Sequence, residues 1–530
     1  MFNKEITKSA QYFSRLKGTF YLQDKRFVIH LIVLTVFLLQ PLTGWMQTTP
    51  SEVSGDPVKT KKGLIAGKLL PNGVKVYFAI PYAQPPVGEL RWREPQPVKP
   101  WEGVLTADNY CAPCAQNGNN SSEDCLYLNV WTPVNPKSKN MPVVVYIHGG
   151  AFVGGSASPS GEVLAAKGVV YVNFNYRLGV FGNLVHPELN AESPYKTSGN
   201  YAHLDQVAAL QWIHNNISRF GGNPNNVTLM GQSSGGIDVC YNQASPLTKG
   251  LIHKVVALSG ANFSGGPWIP RSQEQLAQEG LAYQNRLNCN SIEEMRALSI
   301  QDLLKEVNNK ALGEPGAADG YVLPESPMEI FAAKKQNKVP AILCTCRDES
   351  GGVYRTVKTV SELEEKVRST DDIYADEILD ILDISGEEDL DESVQTLGFA
   401  LGAGKQMVIW AEHQVASKSP VYFSLFSHGE RSGHGADIEY WIGNVMNKGR
   451  TQADRELADQ MSDALVAFTK TGNPNTEAIQ WPEYTADKPT RLVLDNTLKT
   501  QHISEKAFKL IDHPEYLLDT SWGNTRGEKK

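Results

Sequence analysis

From residue 142 onward the chain repeats short runs of apolar, largely β-branched residues, and these runs constrain the fold more than any other feature. Continuous runs of this kind are typical of strands that are buried on both faces. Between two of them, residues 204–220 place apolar side chains at helical spacing. Buried strands that alternate with helices predict an α/β fold with a mostly parallel central sheet covered by helices. The predicted strands are 142–147, 168–174, 226–230, 254–258, 340–344 and 421–426.

The segments outside these strands complete the outline of the fold. Pro71-Asn72-Gly73 separates two apolar runs and predicts a hairpin. Residues 272–312 and 357–416 are rich in helix-forming sequence and contain short acidic runs, which indicates solvated helical insertions over the sheet. We expect a linker at 47–62, a single domain at 63–520 and a polar tail at 521–530.

Residues 1–46 differ from the rest of the chain in charge. They hold six Lys or Arg residues against two acidic ones, although the whole chain has a net charge of −8. The apolar run 27–39 that follows the basic head is too short to span a bilayer as a helix and is typical of a signal peptide. We therefore expect export to a secreted or periplasmic location, with membrane anchoring through 27–39 as the alternative. The acidic body argues against a nucleic-acid partner, because phosphate binding needs basic surface.

The most informative local motif is Gly231-Gln-Ser233-Ser-Gly235, directly after the predicted strand 226–230. Gly-x-Ser-x-Gly by itself also describes an ordinary glycine- and serine-rich turn. Between a strand and a helix, however, it predicts a sharp turn that exposes a nucleophilic serine, with glycine on each side to avoid clashes. Ser233 is therefore the candidate nucleophile.

A second motif, His148-Gly-Gly-Ala-Phe152, follows the predicted strand 142–147. A glycine-rich loop at this position can turn consecutive backbone N–H groups toward one point, where they stabilise an oxyanion. A phosphate-binding loop is the alternative, but neither a Walker Lys-Ser/Thr pair nor Gly-x-Gly-x-x-Gly is present. No metal-binding cluster or nucleotide loop is apparent either, so we expect no metal and no cofactor.

A serine nucleophile in this setting needs an acid and then a histidine later in the chain. His428 and His434 both follow the predicted strand 421–426, and His434 lies between two glycines. Asp348 and Glu349 both follow the predicted strand 340–344. Spacing alone does not choose within either pair.

At these residues the sequence resembles the type-B carboxylesterase/cholinesterase-lipase family of α/β hydrolases, from about residue 58 to about residue 495. The markers occur in order along the chain, and an ordered set is far more specific than any one motif. They are Phe78-Ala-Ile-Pro-Tyr-Ala, Leu90-Arg-Trp, Glu123-Asp-Cys-Leu-Tyr-Leu-Asn129, His148-Gly-Gly-Ala-Phe, Asn175-Tyr-Arg-Leu-Gly179, Gly199-Asn-Tyr-Ala-His-Leu-Asp-Gln206, Phe220-Gly-Gly-Asn-Pro, Gly231-Gln-Ser-Ser-Gly, Arg347-Asp-Glu-Ser-Gly351, Gly433-His-Gly-Ala-Asp437 and Thr471-Gly-Asn-Pro.

The resemblance implies a role for each candidate residue. It implies a catalytic triad of Ser233, Glu349 and His434, and insertions at 262–335 and 353–416 that form the walls of the substrate pocket. The oxyanion donors that it implies are the backbone N–H groups of Gly150, Ala151 and Ser234. It also implies two structural ion pairs, Arg91 with Glu123 and Arg177 with Asp205. The disulfide that it implies joins Cys114 and Cys125.

The sequence also departs from the family pattern. The loop between Cys114 and Cys125 is short and lacks the tryptophan that binds choline in cholinesterases. Met295 stands where the partner of Cys289 in the family's second disulfide is expected. These features indicate a general serine carboxylesterase that acts on a small-molecule carboxylic ester, with no stable partner protein implied. A catalytically silent adhesion module of the same family is the alternative, but silent members lack the serine or the histidine.

Overall fold

The computed structural model describes residues 57–512 except 119, 135–139, 264–270, 308–317, 350–355, 371–372, 430–431 and 446–448. The strands are β1 Val58–Lys59, β2 Leu64–Ala66, β3 Lys68–Leu69, β4 Val74–Pro81, β5 Val104–Thr106, β6 Tyr127–Pro133, β7 Met141–Ile147, β8 Val170–Phe174, β9 Gly222–Gln232, β10 Lys254–Leu258, β11 Ala341–Cys346, β12 Val421–Phe426, β13 Thr490–Leu494 and β14 Lys499–His502.

The helices follow the strands and fill the insertions. They are α1 Glu162–Ala166, α2 Gly179–Asn183, α3 Pro187–Glu192, α4 Tyr201–Asn216, α5 Ser234–Ala244, α6 Gln273–Arg286, α7 Ile292–Ala297, α8 Ile300–Lys305, α9 Pro327–Ala332, α10 Val360–Thr370, α11 Ala375–Leu382, α12 Leu390–Ala400, α13 Ala403–Ala416, α14 Ile438–Trp441, α15 Gln452–Thr471 and α16 Glu505–Asp512. Short 3₁₀ turns occur at Gly88–Leu90, Ile217–Phe220, Pro246–Thr248 and Glu387–Asp389.

Eleven strands form one sheet in the order β14-β13-β12-β11-β10-β9-β7-β8-β6-β4-β3. The central strands from β13 to β8 are parallel, whereas the pairings at both edges are antiparallel. A small second sheet contains β1, β2 and β5. The predicted α/β architecture with a mostly parallel sheet is therefore confirmed, and so is the hairpin at Pro71-Asn72-Gly73, which joins β3 to β4.

The sheet is buried on both faces, as the apolar runs predict. Alternate residues of β7 pack into two different cores: Val143 and Val145 contribute to one, and Val144 and Tyr146 to the other. Helices α4 and α5 cover the first face, and α1 and α15 cover the second. Because both faces are covered, we expect the functional site at the edge where the parallel strands end.

The helical insertions are also present, as α6–α8 and α10–α13. Within the described residues, no helix combines the length and the apolar composition needed to cross a membrane. The apolar run 27–39 and the polar tail 521–530 lie outside the described residues.

Candidate active site

Five neighbouring strands bring the candidate residues to one edge of the sheet. In the order β12, β11, β10, β9 and β7, their carboxyl ends are followed by His434, Glu349, Ser259, Ser233 and the loop that starts at His148. These residues are up to 286 positions apart in the chain (148 to 434). The parallel register places them side by side because every one of these strands runs in the same direction.

The turn between β9 and α5 holds Ser233 in a strained conformation, with φ 58° and ψ −127°. Non-glycine residues rarely adopt positive φ, and such strain is maintained only where the surroundings impose it. A Cβ on Gly231 would lie 2.1 Å from the Gly235 oxygen, and one on Gly235 would lie 2.3 Å from the Ile147 oxygen. The two flanking glycines of the motif are therefore required by backbone packing.

The loop after β7 also departs from ordinary backbone geometry. Gly150, Ala151 and Phe152 all have positive φ, at 122°, 53° and 61°. Among the residues that the structure describes, none accepts a hydrogen bond from the N–H of Gly150 or Ala151. Helix α5, whose positive dipole end lies at Ser234, packs directly against this loop through Gly235. The edge thus offers backbone donors suited to a developing negative charge.

His434 contacts a buried carboxylate. Its Nδ1 lies 2.7 Å from Glu349 Oε2, and Glu349 is only 3% exposed. The other carboxylate oxygen, Oε1, accepts a hydrogen bond from the backbone N–H of Cys346 over 2.6 Å and a second one from the hydroxyl of Ser259. These donors hold the carboxylate in place, so that it fixes the orientation of the imidazole ring.

The structure places Asp348 and His428 in contacts different from those of Glu349 and His434. The side chain of Asp348 pairs with Arg347, its Oδ2 lying 3.1 Å from the guanidinium, while its backbone N–H bonds to Ser432 in the His434 loop. His428 Nε2 lies 3.0 Å from Asp454 at the start of α15. Glu349 and His434 are thus the acid and the histidine that meet.

Gln232 is a site residue that the sequence analysis missed. Its Nε2 lies 3.1 Å from His434 Nε2, the ring nitrogen opposite the one that faces Glu349. With Nδ1–H donated to Glu349, Nε2 carries the lone pair and accepts from the Gln232 amide. In the sequence, only the position of Gln232 beside Ser233 in the motif indicates that it belongs to the site. The direction of its side chain could not be predicted, because at a strained turn that direction depends on tertiary contacts.

His148 begins the glycine-rich loop but is not suited to act as a base. Its ring is buried, stacks on Tyr176 with centroids 4.5 Å apart, and lies 2.9 Å from the Gly149 carbonyl. Burial lowers the pKa of His148 to about 4, against a smaller raising effect from the Gly149 carbonyl and Asp238. The ring is therefore neutral at physiological pH and serves to pack the loop.

The disulfide and ion pairs implied by the resemblance are present around the site. Cys114 and Cys125 are joined, with a sulfur–sulfur distance of 2.01 Å. Within the loop that they close, Gln116 exchanges two hydrogen bonds with the backbone of Gly155, which ties it to the glycine-rich loop. Cys289 has no disulfide partner, as expected from Met295.

Both ion pairs are buried. Arg91 contacts Glu123 at 2.5 and 2.7 Å and also donates to the carbonyls of Arg296 and Leu298. Arg177 makes two contacts of 2.7 Å with Asp205. Each arginine therefore crosslinks segments distant in sequence. In the described part of the chain, no group of His, Cys, Asp and Glu side chains is arranged to hold a metal ion.

The fold and the serine at the strand–helix turn define an α/β hydrolase. The model of the carboxylesterase family matches residues 54–511, and the chain belongs to that family. It is a carboxylic ester hydrolase. It is 33% identical to the para-nitrobenzyl esterase of Bacillus subtilis, in a match that covers 86% of this chain and 98% of that protein. It is 30% identical to the fumonisin B1 esterase of Sphingopyxis macrogoltabida, in a match that covers 80% of this chain and 84% of that protein.

Solved structures agree with this assignment. A para-nitrobenzyl esterase structure superposes with a TM-score of 0.73 at 32% identity, covering 86% of this chain and all of the other. A carboxylesterase from Geobacillus stearothermophilus superposes with a TM-score of 0.73 at 26% identity, covering 84% and 98%. The predicted family and enzyme class are thus confirmed, and the adhesion alternative has no support among these relatives.

The contact between Gln232 and His434 leads to a prediction about pH dependence. Gln232→Glu puts a carboxylate beside Nε2, which stabilises the protonated ring. We expect the acid limb of the kcat/KM profile for a para-nitrophenyl ester to move about 1 pH unit higher than in wild type. Burial raises the pKa of Asp437, three residues after His434, to about 6. Because Asp437 titrates in the same pH range in every variant, the quantity to compare is the difference between the acid limbs of Gln232→Glu and wild type.

Gln232→Met is the matched control, since it removes the amide without adding charge and should move the acid limb upward by less than Gln232→Glu does. Superimposable profiles for Gln232→Glu and wild type would show that residue 232 does not contact His434 in solution.

Proposed function

We propose that the chain hydrolyses small-molecule carboxylic esters through a triad of Ser233, His434 and Glu349 and an acyl-enzyme on Ser233. The observation that carries the proposal is the position of the imidazole. His434 Nδ1 contacts Glu349 at 2.7 Å, while Nε2 faces Gln232, the residue before Ser233. A ring held in this way by a carboxylate presents its basic nitrogen to the nucleophile turn.

In the acylation step, His434 Nε2 accepts the hydroxyl proton of Ser233 as Oγ bonds to the ester carbonyl carbon. The carbonyl π electrons move to oxygen, and the oxyanion accepts hydrogen bonds from the N–H groups of Gly150, Ala151 and Ser234. Collapse of this intermediate expels the alcohol, which takes the proton from the imidazolium. Water then repeats the sequence on the acyl-enzyme and releases the carboxylic acid and free Ser233.

Glu349 acts on the ring and not on the substrate. It holds the tautomer in which Nδ1 carries the proton, and its charge stabilises the imidazolium that forms in both steps. Ser259 and the Cys346 N–H keep this carboxylate oriented. The reaction needs no metal or cofactor, because every proton and electron pair that moves belongs to the serine, the histidine, the ester or water.

The names of the relatives support the substrate class. They include esterases for para-nitrobenzyl esters, fumonisin B1 and cocaine, the last from Homo sapiens at 30% identity over 81% of this chain. These names denote small-molecule esters. We therefore propose a general carboxylesterase, and a chain-length series of para-nitrophenyl esters is the direct way to define its acyl preference.

Export is a second part of the proposal. It is supported by the basic head and apolar run of residues 1–46 and by the Cys114–Cys125 disulfide, since disulfides persist in oxidising compartments. The protein should be recovered outside the cytoplasm with its N-terminus beyond residue 39. N-terminal sequencing that finds the intact leader on cytoplasmic protein would contradict export.

The two adjacent acids provide a matched test of the triad. Glu349→Gln should lower kcat by about 10³–10⁴-fold, because the charge that stabilises the imidazolium is lost. Asp348→Asn should cost less than tenfold, since Asp348 pairs with Arg347. Steady-state kinetics on a para-nitrophenyl ester, with Ser233→Ala as the background level, measure both effects. The reverse ranking, or more than ~1% activity in Ser233→Ala, would contradict the proposed triad.

A further inference from the structure

The segment closed by the Cys114–Cys125 disulfide reaches the glycine-rich loop through the side chain of Gln116. The Nε2 of Gln116 donates to the Gly155 carbonyl over 2.8 Å, and its Oε1 accepts from the Gly155 N–H over 3.0 Å. An amide side chain has one acceptor and one donor group, and here both bond to the backbone of a single residue. Gln116 therefore fixes the two peptide groups on either side of Gly155.

Gln116 is itself held in place by its own segment. Its Nε2 also donates to the Cys114 carbonyl over 3.0 Å. Its backbone carbonyl accepts from the Ser121 hydroxyl over 3.0 Å, and its N–H donates to the same hydroxyl oxygen over 3.3 Å. Cys114 and Cys125 are 2% and 1% exposed and belong to the hydrophobic core, so the disulfide anchors the segment there. The amide is thus presented to Gly155 from a fixed support.

Gly155 packs in turn against the start of the glycine-rich loop. It has φ 112°, and a Cβ there would lie 2.3 Å from the Gly149 oxygen. A Cβ on Gly150 would lie 2.1 Å from the Gly154 oxygen, which belongs to the same peptide group as the Gly155 N–H. The N–H of Gly154 also donates to the Gly150 carbonyl over 3.0 Å. The peptide group that bonds to Gln116 Oε1 therefore lies directly against Gly150.

This part of the loop needs support from outside. Four of the seven residues 149–155 are glycines, whose backbone has little conformational preference of its own. A donor stabilises an oxyanion most when it already points at the position that the oxygen will occupy. The Tyr176 hydroxyl holds the start of the loop, and the Gly179 N–H holds the Phe152 carbonyl over 2.7 Å. Gln116 holds the segment that follows.

We propose that Gln116 is a positioning residue for the oxyanion hole, and that the Cys114–Cys125 disulfide supports turnover by keeping Gln116 in place. The proposal rests on the function proposed above. In this role Gln116 acts on the donors of Gly150 and Ala151 and not on the substrate. Because acylation and deacylation both pass through an oxyanion, loss of Gln116 should slow both steps together and leave KM nearly unchanged.

The test is Gln116→Met, which keeps the length of the side chain and removes its hydrogen bonds. With a para-nitrophenyl ester we expect kcat to fall about 5- to 50-fold and KM to stay within about twofold, less than the ~10²–10³-fold effect of deleting an oxyanion donor. A trifluoromethyl ketone forms a tetrahedral adduct with the serine, and its affinity should fall by the same factor as kcat. The corresponding trifluoromethyl carbinol cannot form the adduct and should bind as it does to wild type.

Asn475→Leu is the matched control. Like Gln116, Asn475 is half-buried and exchanges two hydrogen bonds with the backbone of one residue, Trp481. It follows α15, and a Cβ on Gly472 after that helix would lie 3.2 Å from Pro340, which precedes β11 at the opposite edge of the sheet. This variant should melt at a lower temperature, with kcat, KM and trifluoromethyl ketone affinity within about twofold of wild type.

The role of the disulfide is tested with Cys114→Ala/Cys125→Ala, which leaves neither thiol to pair with Cys111. We expect kcat and ketone affinity to fall together at constant KM, and adding Gln116→Met should cause little further loss, because both changes act through the same amide. If this variant does not fold, Ser121→Ala replaces it, since the Ser121 hydroxyl holds the Gln116 backbone. Losses that add up independently would overturn the role of the disulfide.

Melting curves establish that each variant is folded. In folded Gln116→Met, ketone affinity within about twofold of wild type, an equal loss of carbinol affinity, or a KM that rises as kcat falls would overturn the inference. A wild-type protein that neither hydrolyses the ester nor binds the ketone would instead overturn the proposed function, so the two failures are distinguishable.

Discussion

The close backbone packing around Ser233 is the constraint on which the rest of the site depends. Four glycines from three strand ends and one helix surround the turn, and a Cβ on any of them would collide with backbone. The shortest approaches would be 2.5 Å for Gly149, 2.1 Å for Gly231, 2.3 Å for Gly235 and 2.0 Å for Gly260. Without side chains at these positions, β7, β9, β10 and α5 converge closely enough to hold the serine at positive φ.

The same convergence explains why each functional group is held by a neighbour from a different strand. Glu349 follows β11 but accepts a hydrogen bond from Ser259, which follows β10. The loop that carries Glu349 pairs with the loop of His434, through the Asp348 N–H and the Ser432 carbonyl. The glycine-rich loop after β7 is fixed by Gln116 on one side and by Tyr176 on the other. Orientation is therefore a property of the whole sheet edge and not of any single loop.

Sequence reasoning predicted the parts of this arrangement that depend on local pattern. The runs 254–258 and 421–426 coincide with β10 and β12, and the turn motif lies between β9 and α5. Sequence reasoning did not choose between Asp348 and Glu349 or between His428 and His434, because that choice depends on how the loops after two adjacent strands pair with each other. Sequence reasoning also missed β6 and β13, which mix apolar residues with polar ones such as Asn129 and Arg491, and the edge strand β14, which is exposed throughout.

Gln232 was missed for a physical reason. Its contact with His434 depends on side-chain directions across 202 residues of sequence (434 minus 232). The motif places Gln232 beside Ser233, but only the folded structure shows that its amide faces His434.

The central claim is that Ser233 is the residue that becomes acylated. The most direct measurement is reaction of the purified protein with a fluorophosphonate, followed by proteolysis and mass spectrometry of the peptide that spans 226–244. We expect one adduct per chain, located on Ser233, with loss of esterase activity in proportion to labelling. An adduct on the neighbouring Ser234, or full labelling with activity retained, would contradict the account.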